Sequence, residues 1–319
     1  MENKMSKFLV TGGIGFLGTN LCFRLMQEGH KVIAMDNFFT GMHQNLETLQ
    51  KEESFEFIEH DITEKLPLEK LKDVDGIFNL ACPASPPHYQ KDPLYTTKVS
   101  VYGIFNVLEL ANQNQIPIFH TSTSEVYGDP LEHPQQEAYR GNVNPIGIRA
   151  CYDEGKRMAE SILFDHHRQT GLGIRVVRIF NTYGPFMDPK DGRVVSNFIV
   201  QAINNQDMTI YGDGSQTRSF CYVDDLIEGF VRFYFSDPKI TGPVNMGNPS
   251  EFTVKELAEK VTEITSYEAK LTYMDLPKDD PVKRRPNISL AKELFDWEPK
   301  VALEEGLKKC IPYFESFKK

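Results

Sequence analysis

The chain predicts an α/β protein, a doubly wound parallel sheet with a smaller C-terminal lobe. Three observations lead there. Short apolar runs of strand length alternate with amphipathic helical patterns from Lys7 to Ile179. A glycine-rich turn joins the first strand to the first helix. Polar residues gather just beyond strand ends, where open α/β sheets hold their ligands.

Lys7-Phe-Leu-Val-Thr11 reads as a buried strand. Gly12-Gly-Ile-Gly-Phe-Leu-Gly18 follows, then an amphipathic helix to about Glu28, with Gly29 as its stop. Glycines at 12, 15 and 18 let the backbone approach a pyrophosphate, and the helix N-terminus adds amide hydrogens and partial positive charge. A second strand, Lys31-Val-Ile-Ala-Met35, ends in Asp36. A carboxylate there accepts both ribose hydroxyls of NAD and repels the extra phosphate of NADP. Further strands are expected at Phe55–Glu59, Gly76–Ala81 and Ile116–Ser122, with a long helix from about Leu94 to Asn114. Asp61-Ile62, Ala81-Cys82 and Thr121 to Glu125 fall at the strand ends, and Leu80 to Pro87 forms a proline-stiffened loop.

A helical pattern then runs from Arg149 to about Gly171. It carries the chain's single Tyr-x-x-x-Lys, at Tyr152 and Lys156. These side chains stand one turn apart on one face. A free phenol titrates near pH ~10, and a neighbouring cation favours the phenolate. Such a pair can remove a proton from a sugar hydroxyl. The strand Gly173–Ile179 leads to Phe180-Asn181-Thr182-Tyr183. Beyond it the elements shorten: helices near Val194–Asn204, Val223–Phe235, Val254–Thr265, Leu290–Phe295 and Leu303–Phe314, and strands at Thr209–Tyr211 and Val244–Met246. The expected division is residues 1–184 with 223–248 as the nucleotide-binding domain, and 185–222 with 249–319 as a substrate lobe. Arg193, Arg218 and Arg284-Arg285 lie in the C-terminal half of the chain, on the substrate side. Arginine's planar fork suits a diphosphate.

Composition narrows the classes. A formal charge of -10 with no basic block argues against nucleic-acid binding. Five cysteines without a CxxC argue for a reducing compartment and no structural zinc. The eight histidines lack metal spacing, and His166-His167 are expected to face solvent. No metal is expected. No apolar run reaches membrane-spanning length, and Met1 to Lys7 is polar, so a cytoplasmic location is expected.

Taken in this order, Gly-Gly-x-Gly-x-x-Gly, Asp36, Ser122-Thr-Ser-Glu125 and Tyr152-x-x-x-Lys156 resemble the extended short-chain dehydrogenase/reductases acting on nucleotide sugars. Longer runs resemble the UDP-glucuronate decarboxylases: Asp36-Asn-Phe-Phe-Thr-Gly41, Leu80-Ala-Cys-Pro-Ala-Ser-Pro-Pro87, Ser122-Thr-Ser-Glu-Val-Tyr-Gly-Asp-Pro130, Asn144-Pro-Ile-Gly147, Arg149-Ala-Cys-Tyr-Asp-Glu-Gly-Lys-Arg157, Asp191-Gly-Arg-Val-Val-Ser-Asn-Phe198 and Gly214-Ser-Gln-Thr-Arg218. Ile148 and Asn287 stand where the family has proline and aspartate.

The resemblance implies a Rossmann fold, NAD as cofactor, a UDP-sugar as substrate, and a homodimer through helices at about 94–114 and 149–170. It places Gly12, Gly15, Phe16, Leu17 and Gly18 against the pyrophosphate. Asp36, Asn37, Phe39 and Thr40 lie around the adenosine ribose, Asp61 and Ile62 at the adenine, and Leu80, Cys82, Thr121, Ser122, Thr182 and Arg193 complete the cofactor set. Tyr152 and Lys156 act on the nicotinamide side, with Thr123, Ser124 and Glu125 around the reacting sugar. Lys98, Asn106, Asn181, Tyr211, Gln216, Arg218 and Arg284 are implied substrate contacts. The implied reaction oxidises C4 of UDP-glucuronate, loses carbon dioxide from the β-keto acid, and re-reduces C4 to give UDP-xylose. Competing readings are a sugar 4,6-dehydratase, a UDP-sugar 4-epimerase, and a non-catalytic NAD-sensing protein. The dehydratases use an Asp-Glu pair where this chain has Ser124-Glu125.

Overall fold

Leu9 faces one side of the central sheet while Phe8 and Val10 face the other, and the same alternation runs through the neighbouring strands. A computed structural model describes residues 5–267, 270–275 and 283–318. Asp279-Asp280-Pro281, which precede Arg284 in sequence, and the first four residues of the polar leader lie outside the described residues.

The first half builds β1 (Lys7–Thr11), α1 (Phe16–Gln27), β2 (Lys31–Asp36), α2 (His43–Leu49), β3 (Phe55–Glu59), β4 (Gly76–Asn79), α3 (Pro86–Tyr89), α4 (Pro93–Asn114), β5 (Ile118–Thr123), α5 (Ala150–Thr170) and β6 (Ile174–Ile179). Asp92 caps α4 by accepting the Tyr95 amide, and Pro93 occupies its first turn. Gly171, in the left-handed region, ends α5.

The second half adds β7 (Thr182–Tyr183), α6 (Val194–Ile203), β8 (Met208–Tyr211), β9 (Thr217–Ser219), β10 (Cys221–Tyr222), α7 (Val223–Tyr234), β11 (Val244–Met246), β12 (Glu251–Thr253), α8 (Val254–Thr265), β13 (Leu271–Met274), β14 (Lys283–Arg284), α9 (Ser289–Phe295) and α10 (Leu303–Glu315). Thr253 and Glu256 form a reciprocal capping box at the start of α8.

Seven parallel strands make one sheet in the order β11-β6-β5-β4-β1-β2-β3. The order reverses between β1 and β4, the switch point that opens a crevice at the carboxyl edge. On one face, Leu9, Ile33, Ile77, Ile118 and Val176 pack with residues of α4 and α5. On the other, Phe8, Val10, Val32, Phe78 and Phe119 continue into α1, α7 and the C-terminal helices as one apolar cluster. The small sheets β12-β9-β14, β13-β8 and β10-β7 carry the second half's loops to the same edge.

Several boundaries depart from the expectation. The fourth strand stops at Asn79 because the next two amides turn onto Thr11: Leu80 N–H donates to its carbonyl and Ala81 N–H to its hydroxyl. The proline-rich loop contains a helical turn, α3, begun by Pro86 at a position where proline's fixed φ suits helix entry. His166 and His167 are half-buried, with Nε2 of the first 2.9 Å from Asn112 Oδ1 and Nδ1 of the second 2.8 Å from the Leu172 carbonyl. The solvent-facing expectation for them is corrected, because α5 packs along α4.

One buried ion pair ties α5 to the sheet. Arg178 of β6 donates from Nε and Nη2 to the two Glu160 oxygens at 2.9 and 2.7 Å, and the Ser122 hydroxyl donates to the same carboxylate at 2.5 Å. Replacing one member leaves the other charge buried and uncompensated, which costs about 3 to 5 kcal/mol. Glu160→Ala is therefore expected to lower unfolding free energy by about 3 kcal/mol in urea titration. A loss below about 1 kcal/mol would mean that solvent already compensates this pair.

Candidate active site

The carboxyl edge of the sheet opens into a cleft of about 540 Å³. Its floor begins at the turn between β1 and α1. Gly12 has a φ of +66°, and its amide donates to the Met35 carbonyl at 2.8 Å. A Cβ on Gly18 would lie 2.0 Å from the Gly12 carbonyl oxygen. No larger residue fits there without unfolding the turn. Gly12, Gly15, Phe16, Leu17 and Gly18 all line the cleft, with Gly15 at the N-cap of α1. This is a cradle shaped for a pyrophosphate.

Asp36 lies at the end of β2, buried, accepting the Phe38 amide at 2.9 Å and the Ile14 amide at 3.4 Å. Burial outweighs these amide bonds and pushes its carboxyl up to about 6. Beside it, Asn37 Nδ2 donates to Asp61 Oδ2 at 2.9 Å, and the Tyr95 hydroxyl donates to the same oxygen at 2.7 Å. Burial pulls Asp61 upward, but the Thr63 amide and Tyr95 hydroxyl prevail and hold it below the usual carboxylate range. Phe39 rests against the Tyr95 ring, with centroids 4.8 Å apart, and Thr40 and Ile62 complete this end. The cradle and the carboxylate beyond it fit NAD.

At the other end stands Tyr152, buried on the cleft wall and stacked parallel on Tyr89, with centroids 5.2 Å apart. Lys156 Nζ is 5.9 Å from the Tyr152 ring centroid and donates to the Thr121 carbonyl at 2.8 Å. Lys156 alone does not favour the phenolate here. Burial first, and Cys82 next, push the Tyr152 hydroxyl well above its ordinary value, against the lowering effect of a hydrogen bond with Thr123. Desolvation penalises the charged form more than these neighbours stabilise it.

Ser124 is buried in the first turn after β5, and Glu125 follows. Arg149 Nη2 donates to Glu125 Oε2 at 2.5 Å, and Arg284 Nη1 donates to Oε1. Arg284 Nη2 also reaches the Gly128 carbonyl at 3.3 Å. Burial raises the Glu125 carboxyl, but Arg284 and Arg149 overcome it and hold the group down at about 2. Glu125 is a fixed anion at neutral pH. Arg284 faces Glu125 while lining the cleft, so its guanidinium has a protein partner as well as access to a ligand.

Leu80, Cys82, Thr121, Thr182 and Arg193 line the cleft, as do Asn181, Tyr211, Gln216 and Arg218. Arg193 Nη2 donates to the Ala84 carbonyl at 2.9 Å, bracing the proline-rich loop. Gln216 Nε2 donates to the Tyr211 carbonyl at 2.6 Å. Three expected contacts need correction. Ser122 lines the cleft, but its hydroxyl is committed to Glu160. Asn106 is turned away, its Nδ2 donating to the carbonyls of Ile62 and Glu64 at 2.7 and 3.0 Å, so it braces the segment after β3. Lys98 is exposed on the outer face of α4, outside the cleft lining. Sequence reading gave no role to Tyr89, Tyr95 or the Arg149 side chain, because their partners lie 63, 34 and 24 positions away.

A family model described as NAD dependent epimerase/dehydratase family matches residues 8–247. The chain belongs to that family. The chain is similar to UDP-glucuronic acid decarboxylase 6 of Arabidopsis thaliana. The two are 54% identical over 302 residues, spanning 94% of this chain and 86% of that protein. UDP-glucuronic acid decarboxylase 1 of Danio rerio is 49% identical over 313 residues, 98% of this chain and 73% of the relative. Among solved structures, UDP-glucuronic acid 4-epimerase from Bacillus cereus, in complex with UDP-glucuronic acid and NAD, matches with a TM-score of 0.88. Identity there is 27%, over 98% of this chain and 99% of that one. The epimerase/dehydratase cofactor is NAD, which agrees with the cradle and with Asp36.

Asp36 gives a test of that end of the cleft. Its folded-state value lies above the unfolded one, so its charged form is disfavoured until the pH passes about 6. Hydrogen bonding to ribose hydroxyls needs the carboxylate. NAD affinity is expected to weaken about tenfold from about pH 8 to about pH 5, by titration calorimetry, and Asp36→Asn is expected to flatten the profile. Equal wild-type affinities at the two pH values would contradict the role.

Proposed function

We propose that the protein decarboxylates UDP-glucuronate to UDP-xylose, with Tyr152 as the proton acceptor and Glu125 as a fixed anion. Identity near one half with proteins named UDP-glucuronic acid decarboxylases supports the substrate and reaction. The observation that carries the reading at the site is the state of Glu125. A 4,6-dehydratase must protonate a departing hydroxyl, which needs a protonated acid. Position 124 is serine, and two guanidiniums hold Glu125 ionised. Loss of carbon dioxide from a β-keto acid needs no such acid, since the electron pair left on C5 spreads into the C4 carbonyl.

NAD, when bound, supplies the acceptor for the C4 hydride and later its donor. Tyr152 takes the 4-hydroxyl proton as its phenolate, which Lys156 and the positive nicotinamide of bound NAD would favour against the cost of burial, and returns it at the end. Lys156, anchored on the Thr121 carbonyl, holds positive charge beside the phenol as that proton moves. Thr123 and Ser124 stabilise the oxyanion that forms when carbon dioxide leaves. Glu125 orients the ring or a water that reprotonates C5. Gly12, Gly15, Phe16, Leu17, Gly18, Asp36, Asn37, Phe39, Thr40, Asp61 and Ile62 hold the cofactor. Arg218, Gln216, Tyr211, Asn181 and Arg284 hold the UDP-sugar.

The protein assembles as a homodimer through α4 and α5 in this reading. Tyr102 and Phe105 on α4 are 55% exposed and Met158 on α5 is 51% exposed, a row of large apolar side chains on packed neighbouring helices. Burying each contributes about 1.5 to 3 kcal/mol. Lys98 lies on the same outer row of α4. No described helix is long and apolar enough to cross a membrane. Five unpaired cysteines support the cytoplasmic expectation.

Purified protein with NAD and UDP-glucuronate is expected to release carbon dioxide and form a pentose product without net NADH. Epimerisation would leave the substrate mass unchanged, and dehydration would remove water instead. Tyr152→Phe is expected to lower kcat at least about 100-fold with unchanged melting temperature, and near-wild-type turnover would remove Tyr152 from this role. Phe105→Glu is expected to elute as a monomer in gel filtration; an unaltered elution volume would locate the interface elsewhere.

A further inference from the structure

Asp153 follows Tyr152 in the first turn of α5 and takes no part in the chemistry above. It is 6% exposed, and its Oδ1 has no hydrogen-bond partner among the described residues. It stands behind the cleft wall, outside the lining. Among the described residues, the charges acting on it include Glu125 after β5, Arg284 of β14, and Arg149 and Glu154 beside it. The buried carboxylate thus lies within electrostatic reach of the cluster that Glu125 forms with Arg149 and Arg284, and its own amide donates to the Arg149 carbonyl at 3.1 Å. We infer that Asp153 is a positioning residue that regulates this cluster's charge, holding a proton while a carboxylate-bearing sugar is bound and weakening recognition of that sugar when ionised.

The reasoning is electrostatic. Whatever else the arginines hold, titrating Asp153 changes the cluster by one unit of charge. An added negative charge there opposes the sugar carboxylate through a low-dielectric wall, where charges interact more strongly than in water. Burial, and then Glu125, push the Asp153 carboxyl up to about 7 against the pull of Arg149 and Arg284, so the change falls in the working pH range. Reciprocity requires the converse: binding a carboxylate must draw a proton onto Asp153. The decarboxylated product lacks that charge and has no such linkage.

This inference rests on the proposed reaction, and the test separates the two. The Tyr152→Phe protein, saturated with NAD so that ligand persists, is titrated with UDP-glucuronate and with UDP-xylose at about pH 6 and about pH 8, in buffers of different ionisation enthalpy. UDP-glucuronate is expected to bind about three- to tenfold more weakly at the higher pH and to take up a fraction of a proton near neutrality. UDP-xylose is expected to show neither effect, and adding Asp153→Asn is expected to abolish both for UDP-glucuronate. Equal pH profiles for the two ligands, or a slope that survives Asp153→Asn, overturns the inference. The wild-type-residue-153 measurement stands even if the second substitution fails to fold. Absence of carbon dioxide release by the unmutated enzyme sinks the reaction instead.

Discussion

Burying charge at the carboxyl edge of a parallel sheet is the constraint that organises this molecule. Each strand that ends there carries polar side chains out of the core, and an unpartnered buried charge costs several kcal/mol. The compensation is paid locally. Glu160 satisfies Arg178 and Ser122, the Thr121 carbonyl satisfies Lys156, and Arg149 with Arg284 satisfies Glu125. These contacts draw β5, β6, α5 and the distant β14 into one wall. The cleft has its shape because its lining must settle these debts before any ligand arrives.

The same constraint divides the side chains that work from those that hold them. Tyr152 lies in the cleft with a hydroxyl that burial keeps protonated, whereas Glu125 is kept ionised a few residues from the strand end. Two acidic groups in one pocket thus differ in state because one has guanidinium partners and the other an apolar, stacked environment. The ionised Glu125 disfavours a reaction that needs a strong acid at that position.

Much of this was legible in the residues. Short apolar runs located β1, β2, β3 and β6, and the glycine turn with Asp36 pointed to the cofactor end, because these signals are local. The Tyr152–Lys156 spacing was equally local. The sequence could not show that Ser122 would be taken by Glu160, or that Asn106 would turn onto the Ile62 carbonyl. Those outcomes depend on which helix face packs onto which strand. Lys98 went astray for the same reason, since helical spacing does not say which side of α4 meets solvent. The short strands β9, β12 and β14 lack periodicity to read, yet they deliver Arg218 and Arg284 to the cleft.

The parallel stack of Tyr89 on Tyr152 joins a loop to a helix. Tyr89 ends α3, within the proline-rich stretch that Arg193 braces through the Ala84 carbonyl. Displacing that stretch strips one face from the Tyr152 ring. The loop and the phenol ring therefore cannot be repositioned independently, and a change in the proline-rich stretch is carried straight to the wall of the cleft.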